Sequence, residues 1–313
     1  MPHVTFIHGI SNKPPVDELS RIWRGVLADQ GLDLDAQGVS SSMVYWADLL
    51  YPEPLDEAEY ESAEDPELVG LPDVGMLWAV EAEGEEAEFV KELAESIGYD
   101  EFATDDPDLT IDPVEQGQGF ERVPLPWFIK RRLMKVLLRD VHHYLFDAEF
   151  SPRPGATHRI QRDIRGRTID ALQHGAARTG PHVILAHSLG TVIAYDCLKR
   201  VGDCPPVDGL LTVGSPLGLD EVQDRLRPEW STDRGFPSER VRWRWVNVYD
   251  RLDPVAGFDP VLGNDFRRDG ESMVEDIHEP NWGSWRHSIS KYLTGRRLRE
   301  TLGQMLDLDD DGR

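Results

Sequence analysis

Ser188 sits in Ala186-His187-Ser188-Leu189-Gly190, where the apolar run "VILAH" gives way without pause to the amphipathic stretch "TVIAYDCLKR". A serine hydroxyl is a weak nucleophile until an imidazole takes its proton and a carboxylate orients that imidazole. An attacked carbonyl also needs hydrogen-bond donors for the oxyanion that forms on it. A turn sharp enough to lift a side chain above a sheet needs small residues two positions to either side, and Ala186 and Gly190 stand there. The pattern is G-x-S-x-G with alanine in first place. Five-residue matches arise by chance, so the strand-like run before it and the helical pattern after it carry the weight. The plainer alternative is that Ser188 merely caps the end of a strand.

Other residue types capable of chemistry read as structural. "DDPDLTID" (105–112) gathers acids but lacks the glycine and spacing of a calcium loop, and reads as a solvated acidic loop. His142 and His143 are adjacent, so on a helix they are expected to point in different directions, and no metal site is expected there. Cys197 reads as a small buried residue. Trp243, Trp245, Trp282 and Trp285 read as core and rim packing rather than a sugar platform.

The elements that must position Ser188 follow an α/β rhythm. "HVTFIHG" (3–9) reads as a strand, and residues 16–30 place Leu19, Ile22, Trp23 and Val26 at helical spacing. "SSMVYWADLL" is a second strand, giving the β-α-β opening of a parallel sheet. Residues 51–126 break that rhythm with Pro, Gly and acid, and contain one expected helix at about 84–97. Residues 127–148 read as a helix with basic residues at Lys130, Arg131, Arg132, Lys135 and Arg139, and a further helix is expected at about 157–178. Strands follow at 182–187, 209–216, 241–250 and 272–279, and "HSISKYLTGRRLRETLGQML" reads as one closing helix. Residues 1–50 and 151–313 are thus expected to form the core, with 51–150 an acidic insertion plus basic helix acting as a cap.

At 313 residues the chain suffices for one large domain or for one domain with an insertion. No apolar run approaches the roughly 20 residues of a membrane-spanning helix. A core strand expected within four residues of Met1 leaves no room for a signal peptide, and two cysteines without framework spacing suit a reduced, cytoplasmic setting. The net charge of −25 is concentrated: residues 51–117 hold 23 acids against Lys91 alone, a net −22. Such a segment repels nucleic acid and anionic membranes, so nucleic acid is not an expected partner and membrane contact is expected only through 127–148.

Taken in order, "FIHG" (6–9), "LAHSLGTVIAYD" (185–196), "VGSPLG" (213–218), "DRLDPV" (250–255) and "RHSISKYL" (286–293) resemble the α/β-hydrolase superfamily in its serine esterase and lipase branch. The resemblance reaches both ends of the chain but not residues 51–126, and the family's first hairpin is expected to be missing. It implies an α/β fold with a mostly parallel central sheet flanked by helices. It places the acid after "WRWVNVYD", at Asp253 before Pro-Val, with Asp250 as the alternative whose plainer role is to cap a turn. The base must follow the acid, and only His278 and His287 lie beyond residue 255. The resemblance places it at His287, leaving His278 a structural role. It also implies oxyanion donors at the backbone N–H groups of Leu189, at a helix start where the dipole helps, and of Ile10. Gly9 would permit the tight turn before Ile10, and His8 would support that turn.

The function so implied is cleavage of a carboxylic ester by a Ser188-His287-Asp253 triad through an acyl-enzyme, on a small-molecule or lipid ester, with no cofactor and no metal. A thioesterase or acyltransferase would use the same triad. A non-catalytic binding module on the same scaffold is the alternative of another class.

Overall fold

Strands buried on both faces read as continuous apolar runs, and they require helices on both sides of the sheet. The structure, a computed structural model, describes residues 1–97, 127–283 and 285–308. The acidic stretch at 105–112 lies outside them.

The first strand, β1 (His3–Ile7), leads through α1 (Val16–Asp29) to β2 (Ser40–Val44). The acidic segment follows, with α2 (Glu57–Ser62), α3 (Leu77–Val80) and α4 (Glu85–Ser96). Next come α5 (Trp127–Leu145), a hairpin of β3 (Glu149–Arg153) and β4 (Ala156–Arg159), and α6 (Ile160–Ala176). The chain continues through β5 (His182–His187), α7 (Leu189–Arg200), β6 (Val207–Val213), α8 (Asp220–Arg225) and β7 (Val241–Tyr249). A small hairpin, β8 (Arg267–Arg268) and β9 (Glu271–Ser272), precedes β10 (Val274–His278), α9 (Ile289–Leu293) and α10 (Arg296–Met305). Six strands form the central sheet in the order β10-β7-β6-β5-β1-β2, and every neighbouring pair is parallel. This is an α/β fold. Among the described residues, no helix is long and apolar enough to cross a membrane.

Two apolar layers cover the sheet. Leu19, Ile22, Trp23 and Leu27 of α1 pack with Ile289, Tyr292 and Leu293 of α9 and with α10 on one face. Residues of α4, α5, α6 and α7 pack on the other. The acidic segment takes part in both layers: Tyr60 is fully buried in the first, while Leu71, Val74, Phe89, Val90 and Leu93 belong to the second. It therefore passes from one face of the sheet to the other between residues 60 and 71.

Three expectations are corrected. The helix expected from about 157 begins at Ile160, because 149–159 forms an exposed hairpin closed at Gly155 (φ 81°). The closing helix is broken at Thr294-Gly295. The Glu279 carboxylate accepts the N–H groups of Arg297 and Leu298 (both 2.9 Å) and so caps a fresh helix start. A Cβ at Gly295 would lie 2.5 Å from that carboxylate. Finally, His142 and His143 do not point apart; their Nδ1 atoms are 3.2 Å from each other, in a pocket shared with Trp78.

His3 and His182 open β1 and β5 side by side. The His3 ring lies between the hydroxyls of Ser40 (2.8 Å) and Ser42 (3.0 Å), and His182 Nε2 is 2.9 Å from Thr5 Oγ1. Burial, then the charge of His182, lowers the pKa of His3 to about 4, and burial lowers that of His182 to about 4. Both values lie below the ordinary 6.5, so the unfolded chain binds these protons first. Stability is full above pH 6.5 and declines as the pH falls toward 4. The urea midpoint should therefore drop on acidification across that window, and the His3→Gln/His182→Gln variant should show a shallower drop. An identical slope in both proteins would assign the acid sensitivity elsewhere.

Candidate active site

Nothing separates β5 from α7 except Ser188, which turns the chain at φ 55°, ψ −129°. That conformation costs a residue bearing a Cβ about 1–3 kcal/mol and persists only where the surroundings enforce it. Here the Ser188 N–H donates to Val213 O (3.0 Å), and its carbonyl accepts from Thr191 N (2.9 Å) and Thr191 Oγ1 (2.7 Å). The small neighbours are explained by close approach. Ala186 is fully buried, and a Cβ at Gly190 would lie 2.5 Å from Ile7 O and 2.8 Å from His8 O. A Cβ at Gly9 would lie 2.5 Å from Ser188 Cβ, so the turn after β1 rests directly against the serine.

That turn is held from several sides. His8 Nδ1 donates to Gly9 O (2.8 Å), while Nε2 accepts the Trp46 N–H (3.0 Å). The ring stacks on Trp46 at 4.6 Å. Burial, then the charge of Lys13, holds His8 well below the usual histidine range, so it is a neutral brace with both nitrogens occupied. Lys13, buried, directs its ammonium at the carbonyls of Ile10 (2.5 Å), Ser11 (3.3 Å) and Asn12 (3.3 Å). Ser11, at φ 74°, donates its N–H to Asp140 Oδ2 (3.0 Å). Asp140 also accepts from Tyr51 OH (3.0 Å) and from Arg139 (2.7 and 2.9 Å). Leu189, as the first residue of α7, has an N–H without an intrahelical acceptor.

Asp253 and His287 meet in the loops beyond β7 and β10. His287 Nδ1 is 2.9 Å from each carboxylate oxygen of Asp253. The Oδ1 atom also accepts the N–H groups of Val255 (2.7 Å) and Ala256 (3.0 Å), and Oδ2 accepts Tyr292 OH (2.7 Å). Burial alone would raise the Asp253 pKa, but the His287 charge and the hydrogen bonds from His287, Tyr292 and Val255 bring it below the usual carboxylate value. Asp250 is placed differently. Its carboxylate accepts from Leu252 N (2.9 Å), Asn281 N (2.8 Å) and Arg286 Nη1 (3.1 Å), which ties the Asp253 loop to the His287 loop without touching His287. His278 stands apart, with Nε2 3.9 Å from Asp250 Oδ1.

His187 joins the two halves. Its Nε2 donates to His287 O (2.8 Å), and the two rings lie 4.7 Å apart. Gly214 leaves room beside them, since a Cβ there would lie 3.1 Å from Asp253 Oδ2 and 3.2 Å from His287 Cε1. Ser188 Oγ and His287 Nε2 are both buried and have no hydrogen-bond partner among the described residues. Two such orphaned polar atoms call for an explanation. A hydroxyl, an imidazole with one nitrogen spoken for by a carboxylate, and nearby N–H donors form a set suited to nucleophilic attack on a carbonyl. Among the described residues, no group of three or more His, Cys, Asp or Glu could hold a metal ion.

Spacing in the sequence did not reveal Lys13, Tyr51, Asp140 or Tyr292. Tyr51, Asp140 and Tyr292 act over distances along the chain that leave no local pattern, and Lys13 acts on carbonyls one to three residues before it through a backbone turn that no residue pattern announces.

No family model and no curated protein matches the chain. Among solved structures, it is similar to a pyrethroid hydrolase from Sphingobium faniae JZ-2, at 12% identity over 98% of each chain with a TM-score of 0.34. It is also similar to the pyrethroid hydrolase PytH with BIF, at 13% identity over 98% of each chain and a TM-score of 0.35. An uncharacterized protein from Pseudomonas aeruginosa matches at 10% identity and a TM-score of 0.34, over 97% of this chain and 46% of that one.

The two aspartates separate by experiment. Asp253→Asn should slow covalent labelling of Ser188 by a fluorophosphonate by about 10⁴ through loss of imidazole orientation. Asp250→Asn should slow it far less and lower the melting temperature instead, because it weakens the junction between the two loops. The opposite ranking of labelling rates would exchange their roles.

Proposed function

We propose that the protein is a serine hydrolase that cleaves carboxylic esters through an acyl-enzyme. The observation that carries this reading is the buried Ser188 at positive φ, following a His187 whose ring lies 4.7 Å from that of His287, together with a His287 whose Nδ1 is held by Asp253 while its Nε2 has no partner among the described residues. In the first step Ser188 Oγ attacks the ester carbonyl as His287 Nε2 takes its proton. The N–H groups of Leu189 and Ile10 receive the developing oxyanion, and Lys13 supports this by drawing the neighbouring carbonyls to one side. His287 then protonates the departing alkoxide. Water, deprotonated by the same nitrogen, attacks the acyl-enzyme, and the carboxylic acid leaves with Ser188 restored.

The cap belongs to this reading as the wall of the acyl pocket. Leu93 and Ile97 from the acidic segment, Leu137 and Val141 from α5, and Leu219 and Val255 enclose an apolar gap of about 10 Å³, room for about one water, so an acyl chain would enter only by parting these side chains. Val255 is also a donor to Asp253, so the cavity adjoins the acid loop. In this reading the apolar face of α5 would line the acyl chain once those side chains part. On its basic face, Lys135 lies 3.6 Å from Asp73 of the acidic segment, and Arg139 is buried against Asp140 of its own helix.

Hydrolysis of a chain-length series of p-nitrophenyl esters tests both parts. Ser188→Ala should lower kcat by about 10⁴–10⁶ with the fold intact, and activity retained in a clean preparation would overturn the nucleophile. Ile97→Ala should move the preference toward longer acyl chains, and Leu137→Trp toward shorter ones. Unchanged preference in both would remove the cavity from the substrate site.

A further inference from the structure

The acidic segment places one carboxylate where its charge is almost out of reach of water. Asp65, 12% exposed, lies 2.5 Å from the Nζ of Lys291, whose side chain is 3% exposed. Lys291 belongs to α9, directly after His287, and its ammonium also donates to Trp285 O (3.0 Å), two residues before His287. The Trp285 ring meets the His287 ring edge-on at 5.5 Å. Gly283, at φ 74°, lets the same loop press on the pair, since a Cβ there would lie 2.9 Å from Lys291 Nζ and 3.2 Å from Glu64 Oε1. Asp65 lies within the stretch where the acidic segment crosses from one face of the sheet to the other, anchored by Tyr60 on one side and Leu71 on the other.

We propose that the Asp65–Lys291 ion pair is a positioning device for His287, through which the acidic segment sets the rate of the chemical step. This rests on the reading of His287 as the general base. A buried ammonium stays in place only while a carboxylate answers it. With Asp65 present, Lys291 grips the Trp285 carbonyl and fixes the near end of the loop, while Tyr292, the next residue, fixes Asp253 from the far side. Without Asp65 the ammonium turns toward water and releases that carbonyl, and the imidazole loses its alignment with Ser188. The segment then serves catalysis by its grip on the base loop as well as by walling the acyl pocket.

The test uses the full chain and p-nitrophenyl butyrate. Asp65→Asn is expected to lower kcat by about 10- to 100-fold, the range a misplacement near 1 Å produces, with KM changed by less than about 3-fold. Asp65→Glu, which keeps a carboxylate, is expected to recover most of that loss. The Asp65→Asn/Lys291→Met variant carries no buried charge from the pair and decides the matter if the single variant does not fold: its kcat should fall comparably at a near-native melting temperature. Wild-type kcat in a folded Asp65→Asn or double variant would overturn the proposal. His287→Gln in parallel keeps the two readings apart. If that protein retains kcat, the base assignment fails; if it is inactive while the Asp65 variants match wild type, only the clamp fails.

Discussion

A residue with a Cβ holds φ 55° only when its neighbours leave it nothing else, and much of the site is the set of neighbours that deny Ser188 an alternative. On one side β5 is locked between β1 and β6; on the other α7 begins at the next residue. The Ser188 amide is tied to the end of β6 and the preceding His187 to the carbonyl of His287. The absence of side chains at Gly9 and Gly190 follows from the same constraint. The first turn of α7 and the turn after β1 must both come within contact distance of the junction, and a Cβ at either place would push them off. The strain is therefore distributed: it is held by hydrogen bonds to the end of β6 and to the His287 loop as well as by the serine's own turn with Thr191.

A second node lies in α9. The hydroxyl of Tyr292 donates to Asp253 Oδ2 and accepts the N–H of Asp250, so one side chain spans both acids of the β7 loop. Lys291 beside it reaches the loop that carries His287. A short helix with two such consecutive residues organises the loops that carry Asp253 and His287 together. Its length is set by Glu279, which starts α10 afresh at Gly295. A closing helix running unbroken through Gly295 would offer Glu279 no free N–H groups to cap.

The parts of this arrangement legible in the sequence are those carried by consecutive residues. The buried strands announce themselves as apolar runs, and α1 by its spacing of Leu19, Ile22 and Trp23. Ser188 is visible because its small neighbours and flanking elements are all local. The two aspartates were both legible as candidates, but which one meets His287 depends on where the loop turns. The N–H groups of Val255 and Ala256 fold back on Asp253, and no feature of "DRLDPV" by itself distinguishes that from a turn about Asp250. The brace of Ser11, Tyr51 and Asp140 joins three distant segments, so spacing carries no trace of it. The β3–β4 hairpin escaped for a different reason: its residues alternate only between exposed and half-buried, so neither face has to be apolar and the period-two signal has little contrast.

Charge is the loudest feature of residues 51–117 in the sequence, yet it contributes little to holding the described part of that segment in place. Arg21 with Glu57 and Glu61, Lys135 with Asp73, and Arg225 with Glu85 each have an acid at least 39% exposed. Pairs of that kind contribute little and fade as salt screens them. The anchorage comes from Tyr60, Leu71, Val74, Phe89 and Leu93, all buried, each large side chain worth about 1.5–3 kcal/mol. Against that background Asp65 is the exception, because a pair with one partner 3% exposed and the other 12% is little affected by screening. Salt should thus strip the peripheral pairs and leave both the apolar anchors and the contact with Lys291. The acidity of the segment and its attachment to the site are separate properties, and among the described residues Asp65 is an acid that joins the two.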